Sequence, residues 1–203
     1  MIEVTDIAQG SPEWLALRCG VLTASNFSKV LAKGEGKVRK SLMLDMAAEA
    51  LSGQPQEQFA NQWTDHGTQT EPEARANYEL LSGNTVRQIG FAYLDCNKFI
   101  GCSPDGLVDP DGLIEIKCPK PKTHIEYILA GKVPSEYVAQ VQGALWVTGR
   151  AWCDFVSYCP SIRDNPMMLV RVEPNADYIS KLVDECGTFL VELDELITRI
   201  KNA

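Results

Sequence analysis

Ser103-Pro104-Asp105-Gly106-Leu107-Val108-Asp109-Pro110-Asp111-Gly112-Leu113-Ile114-Glu115-Ile116-Lys117-Cys118-Pro119 is the stretch that decides the reading of this chain. It opens on a tight turn, Pro104-Asp105-Gly106, and later reaches Glu115-Ile116-Lys117, an acid and a base two positions apart in an apolar, strand-like run. Side chains alternate faces along a strand, so Glu115 and Lys117 share one face and Ile116 points the other way, into a core. Asp105, Glu115 and the Lys117 ammonium then converge at the edge of a sheet. Carboxylate oxygens hold a hard cation such as Mg²⁺, and the Ile116 carbonyl can add a third oxygen. With a lysine near an attacking water, these are the parts that metal-dependent phosphodiester cleavage needs. Beside a cation and a desolvated wall the Lys117 pKa is expected to fall, which suits a base. The plainer readings are an Asx-type turn at Asp105 and a surface lysine at a strand end. The apolar Ile114 and Ile116 before Lys117, and Cys118-Pro119 after it, are poorly explained by the second.

Outward from this stretch, Thr85 to Leu94, Phe99 to Cys102 and Leu113 to Lys117 read as strands. Turn chemistry separates them at Asp95-Cys96-Asn97-Lys98 and Asp109-Pro110-Asp111-Gly112. Upstream, Ser11-Pro12-Glu13 reads as an N-cap and N1 proline opening a short helix that ends near Gly20. Thr23 caps a second helix through Leu31, apolar spacing marks a third over Val38 to Leu51, and a fourth runs from about Thr70 to Leu81. Downstream come helices at about Thr123 to Ala130 and Ser135 to Thr148, strands at Ala151 to Tyr158 and Met167 to Val172, and a long amphipathic helix from Asn175 to Ile200. The expected class is α/β, a central mixed β-sheet flanked by helices.

A length of 203 residues with 45% apolar content suits one domain spanning 1–203 with a full core. No apolar run approaches the roughly 18 residues of a membrane span. The opening residues lack a basic then apolar leader, so the expected compartment is the cytoplasm. Seven cysteines, an odd number with no Cys-x-x-Cys pair, argue for reduced buried thiols over a disulfide framework or a closed zinc site. They offer no compact ligand set for an iron–sulfur cluster. Net charge is −8, which taken globally argues against a nucleic-acid partner. Charge is uneven, however. Lys29, Lys33, Lys37, Arg39 and Lys40 cluster, as do Lys117, Lys120, Lys122 and Lys132, while Asp177 to Glu195 is mostly acidic. Two basic stretches and an acidic far end can bind DNA on one face, or the lysines can be a solvated surface.

The chain resembles the lambda exonuclease family (YqaJ-type viral recombinases) of the PD-(D/E)xK nuclease superfamily. The resemblance rests on six pieces in order. They are Trp14-Leu15-Ala16-Leu17-Arg18, then Gly20-Val21-Leu22-Thr23-Ala24-Ser25, then Gly67-Thr68-Gln69-Thr70-Glu71. Cys102-Ser103-Pro104-Asp105-Gly106-Leu107, Leu113-Ile114-Glu115-Ile116-Lys117-Cys118-Pro119 and Ala139-Gln140-Val141-Gln142 complete the set. Each piece is weak alone; six in order are specific. The resemblance implies a restriction-endonuclease-like core and a processive 5′→3′ exonuclease on double-stranded DNA that leaves 3′ single-stranded tails for recombination. It implies Mg²⁺, for which Mn²⁺ substitutes, a homotrimeric ring around the duplex, and a single-strand annealing protein as partner.

It also implies roles. Asp105 and Glu115 hold the metal, and Glu71 adds a carboxylate to a second metal or through water. Glu71 is otherwise a first-turn helix acid beside Pro72. Arg18, Ser25, Ser103 and Gln140 form a pocket for the 5′-terminal phosphate, for which an Arg fork and hydroxyl and amide donors are suited. Each of the four also has an ordinary structural reading. Gln142, two positions from Gln140 on a helix, faces elsewhere and is structural. Trp63 can wedge the terminal base pair apart or simply pack. His66 can touch DNA, neither histidine is assigned to catalysis, and Trp14, Trp146 and Trp152 read as core. The competing functions are an internally cutting endonuclease of the same superfamily, an inactive DNA-end-binding recombination adaptor, and a Mg²⁺ enzyme of a small phosphorylated metabolite. The last needs neither lysine cluster, and no nucleotide-binding glycine loop is present.

Overall fold

A computed structural model describes residues 1–32, 36–55 and 62–203, with side chains from residue 69 onward in the last segment. The chain begins with β1 (Ile2–Val4), α1 (Pro12–Arg18) and β2 (Leu22–Thr23), then a 3₁₀ turn at Ala24–Asn26 leads into α2 (Phe27–Val30). Two longer helices follow, α3 (Lys37–Ser52) and α4 (Gln62–Ser82). The middle of the chain supplies β3 (Val86–Arg87), β4 (Phe91–Leu94), β5 (Asn97–Cys102), β6 (Gly106–Val108) and β7 (Gly112–Lys117). Helices α5 (Pro121–Ala130) and α6 (Ser135–Thr148), strands β8 (Trp152–Tyr158) and β9 (Met167–Val172), and α7 (Ala176–Lys201) complete it.

The strands form two mixed sheets, β1-β4-β5-β2 and β3-β6-β7-β8-β9. In the five-stranded sheet β7 lies antiparallel to β6 and parallel to β8. A parallel neighbour requires a crossover, and α5 and α6 supply it. Both faces of β7 and β8 are covered. Leu113 and Phe155 join the larger core with Leu145 of α6 and Leu182 and Phe189 of α7. Ile114, Ile116 and Val156 join a smaller core with Ala74 and Tyr78 of α4. Double burial explains the near-continuous apolar run of β7. Helix α7 buries Leu182, Cys186, Phe189 and Leu193, the spacing of one helical stripe, and Asn175 caps it by accepting from the Tyr178 N–H.

Several expectations are corrected. The run Thr85 to Leu94 is two strands, β3 and β4, in different sheets. The break falls at Gly90, where a Cβ would lie 2.1 Å from the Ile7 carbonyl oxygen, so only glycine fits. Thr23 does not cap a helix through Leu31; its hydroxyl pairs with Ser25, and a 3₁₀ turn precedes the short α2. β6 begins at Gly106, the last residue of the expected Pro104-Asp105-Gly106 turn, and runs on through Leu107 and Val108, for which the sequence predicts no element. α4 starts at Gln62, well before Thr70. The acidic C-terminal helix is no far end: α7 packs on α3, and Arg39 Nη1 lies 2.5 Å from Glu192 Oε2. Lys33, and the side chains of Trp63, His66, Gly67 and Thr68, lie outside the described residues. Of the free cysteines, Cys102, Cys153, Cys159 and Cys186 are buried, Cys19 and Cys118 are half-buried and Cys96 is exposed, so the expected burial holds for four of the seven.

Candidate active site

Antiparallel pairing sets the start of β6 beside the end of β7, with Gly106 opposite Ile114. Asp105, just before β6, therefore reaches β7, and its Oδ2 accepts from the Ile116 N–H at 2.6 Å. The hairpin that aligns them is pinned by a residue the sequence did not single out. Arg150, 8% exposed, donates to the carbonyls of Val108, Pro110 and Gly112 and to Asp109 Oδ1 at 2.7–3.2 Å. A guanidinium fork suits several acceptors in fixed directions.

Glu115 is 1% exposed, and a buried carboxylate needs partners. It has two: Lys117 Nζ at 2.6 Å and Gln140 Nε2 of α6, which donates at 2.5 Å. Tyr137, one turn earlier on α6, lies under the ammonium, its ring centre 4.9 Å from Nζ. From the other side of the sheet α4 brings Glu71, paired with Arg75 one turn on. Arg75 was also missed, because an i,i+4 acid–base pair is ordinary on a helix surface. With the Gln88 amide turned so that its oxygen meets Arg75, the guanidinium bonds it at 3.1 Å, and the Arg75 charge is felt at Asp105.

The carboxylates feel one another. Burial, then Asp105, push Glu71 up to about 7 against the pull of Arg75 and Lys117. Burial pushes Glu115 up to about 7 against Lys117, with Asp105 and Glu71 adding to the rise. Burial also raises Asp105, and Lys117, the Ile116 N–H and Arg75 oppose it. Lys117 departs from its expectation. Burial lowers it, but Glu115 and Asp105 more than reverse this, so its pKa lies above the usual lysine value. It is a firmly charged donor.

Among the described residues no three of His, Cys, Asp and Glu gather into a ready cation cage. Asp105, Glu115 and the Ile116 carbonyl are nonetheless hard oxygen donors in a site where the Asp105 charge raises the pKa of both Glu71 and Glu115. That donor set fits a cation of the Mg²⁺ type, which takes few protein ligands and keeps several waters.

The four residues expected at a phosphate are divided by their contacts. Arg18 Nη1 donates to Ser103 Oγ at 3.1 Å, Gln140 serves Glu115, and the exposed Ser25 lies 3.0 Å from Thr23 Oγ1. They stay on neighbouring elements, because the Ala24–Asn26 turn packs on both α6 and β5. Burial of Arg18 lowers its pKa to about 10, against the pull of the Glu49 charge. Its guanidinium stacks 4.0 Å from the Trp14 ring centre. Trp14 is half-buried and bonded to this region, not plain core. Gln142 is structural, as expected: it accepts from the Asn175 N–H and donates to the Glu173 carbonyl. His124 is buried between Ser157 and the Asn165 carbonyl.

A mixed sheet between helices, with an Asp turn and a Glu-x-Lys strand meeting at one end of two of its strands, defines the restriction-endonuclease-like PD-(D/E)xK class. The YqaJ-like viral recombinase domain matches residues 13–151, and the chain belongs to that family. It is similar to the alkaline exonuclease LHK-Exo of Laribacter hongkongensis, 38% identical with a TM-score of 0.89 over 95% of this chain and 97% of that one. The LHK-Exo structure with dAMP matches equally. A phage-related exonuclease from Haemophilus somnus 129PT shares the fold, at 18% identity and a TM-score of 0.66 over 89% of this chain and 96% of that one. Protein R354 of Acanthamoeba polyphaga mimivirus is 28% identical over 76% of this chain, but the match spans only 30% of that longer protein. No described helix is long and apolar enough to cross a membrane.

Proposed function

We propose that this chain is a Mg²⁺-dependent 5′→3′ exonuclease that hydrolyses double-stranded DNA from 5′-phosphorylated ends. The observation that carries the reading is the Asp105–Glu115–Lys117 convergence, in a chain 38% identical over nearly its whole length to an alkaline exonuclease. Asp105, Glu115 and the Ile116 carbonyl would hold the cation, with Glu71 as a further carboxylate directly or through water. Once bound, the cation supplies Lewis-acid polarisation of the scissile phosphate and a more acidic water. Lys117, charged and held by Glu115, orients the attacking water and offsets charge growing on the phosphoryl oxygens. Gln140 fixes the Glu115 carboxylate from α6. Arg18 and Ser103 seat the terminal phosphate, with Ser25 and Gln140 on the neighbouring elements. Water attacks the phosphorus one nucleotide inward and the bond to the 3′ oxygen breaks. A 5′-mononucleotide leaves, and the next nucleotide keeps the phosphate, so each cut regenerates the end that the pocket recognises. LHK-Exo was crystallised with dAMP, a product of this type. The 3′ tail left behind suits a single-strand annealing protein.

The test is digestion of linear duplex in Mg²⁺, with 5′-phosphate or 5′-hydroxyl ends, beside a covalently closed circle. Loss of linear DNA alone, fastest from 5′-phosphate ends, is expected. Cutting of the circle would favour an endonuclease, and no cleavage of either would favour an end-binding adaptor.

A further inference from the structure

Two side chains from the N-terminal segment bridge the same pair of backbone segments. Gln9 Nε2 donates to the carbonyls of Ile89 and Pro104, each at 2.9 Å. The Trp14 indole N–H is shared between the Gly90 carbonyl at 2.9 Å and Ser103 Oγ at 3.1 Å. Both bridges hold residues 103–104, immediately before Asp105, against residues 89–90.

The chemistry at Ser103 is more specific than a brace. A hydroxyl has two acceptor lone pairs and one proton. The Trp14 and Arg18 N–H groups can only donate, and both point at Ser103 Oγ. Its two lone pairs are thus engaged, and among the described residues its own proton has no acceptor. Ser103 can then act toward a ligand only as a donor, which suits a phosphate oxygen and is wrong for a hydroxyl or ammonium hydrogen. The same indole lies under the Arg18 guanidinium, its ring centre 4.0 Å from Cζ.

We infer that Trp14 is a positioning residue that turns the Ser103 hydroxyl into an obligate donor and orients Arg18, so that discrimination of 5′-phosphate from 5′-hydroxyl ends depends on the indole N–H. This rests on the exonuclease reading above. Trp14→Phe keeps an aromatic ring over Arg18 but removes the N–H, leaving one Ser103 lone pair open and its proton unconstrained. The ratio of kcat/KM for 5′-phosphate over 5′-hydroxyl ends should fall roughly tenfold, the size of one hydrogen bond to a charged group. The fall should come mainly through KM.

Ser103→Ala should lower the ratio similarly, and the Trp14→Phe/Ser103→Ala double variant should fall no further, because Trp14 acts through Ser103. Binding of a 5′-phosphorylated oligonucleotide, measured by fluorescence anisotropy in Ca²⁺, should weaken in parallel. Additive losses in the double variant, or an unchanged ratio in Trp14→Phe, would overturn the inference. If Trp14→Phe does not fold, Ser103→Thr decides. It keeps the hydroxyl and should retain the ratio, and a collapse to the Ser103→Ala level would show that donor capacity is not what matters. Wild-type protein that ignores linear duplex would instead overturn the exonuclease reading, so the two failures are distinguishable.

Discussion

Lys117 and the carboxylates around it carry the sharpest expectations at the scale of single residues. Lys117→Ala removes the ammonium bonded to Glu115, and cleavage should fall by about a thousandfold or more while duplex binding persists. Single-turnover rates beside filter binding check this, and wild-type turnover would remove Lys117 from the mechanism. The raised carboxyls set the pH behaviour. Glu71 and Glu115 titrate near 7 in the folded chain, above their unfolded value of 4.5. Between those values the folded state holds protons that the unfolded state has lost. Their contribution to stability is therefore full below about 4.5 and is lost as pH rises through about 7. A divalent cation compensates the charge that appears there. Mg²⁺ should raise Tm clearly at about pH 8.5 and little at about pH 6, and cleavage should rise across the same window. An equal Tm shift at both pH values would detach the cation from these carboxylates.

At the scale of elements, the β6–β7 hairpin matters most, because it aligns Asp105 with Ile116. Arg150 holds its turn through three carbonyls and Asp109. Arg150→Lys keeps the charge but not the fork, leaving buried carbonyls unpaired, and should cost about 2–3 kcal/mol in urea denaturation. A loss under about 0.5 kcal/mol would mean that the hairpin holds itself. Arg150 was illegible in the sequence because its partners lie about 40 positions away. The hairpin was half legible. Period-two alternation and burial on both faces made β7 readable, but β6 is three residues long and shares its Asp-Gly chemistry with a turn. Helix α6 and strand β9 fall where their apolar spacing predicts, at Ser135–Thr148 and Met167–Val172. The 85–94 run misled because alternation continues across Gly90, and only the approach of Ile7 shows why the chain must leave one sheet for the other. In the site, Asp105, Glu115 and Lys117 were legible from local geometry. Gln140 on Glu115 and the Arg75 charge felt at Asp105 required tertiary packing.

For the whole molecule, the proposed activity raises the question of how a chain of net charge −8 would hold a polyanion through repeated cuts. The acidic α7 lies on the basic α3, with Arg39 spent on Glu192, so opposite charge is not sorted simply to opposite ends. One chain with little net attraction should dissociate often, and its grip should weaken steeply with salt. A closed ring of three chains, as the family resemblance implies, would make retention topological instead, since a threaded duplex cannot leave sideways. Light scattering should then give about three times the 22.4 kDa chain mass at working concentration. Digestion started on labelled duplex and then challenged with excess unlabelled trap should continue for many nucleotides, and raising salt after loading should slow initiation far more than ongoing digestion. A monomer that still outlasts the trap would require a grip within one chain. A trimer that stops at the trap would mean that the assembly does not encircle DNA. The salt step separates these mechanisms because charge governs capture in both, whereas only an open groove relies on charge to keep what it has captured.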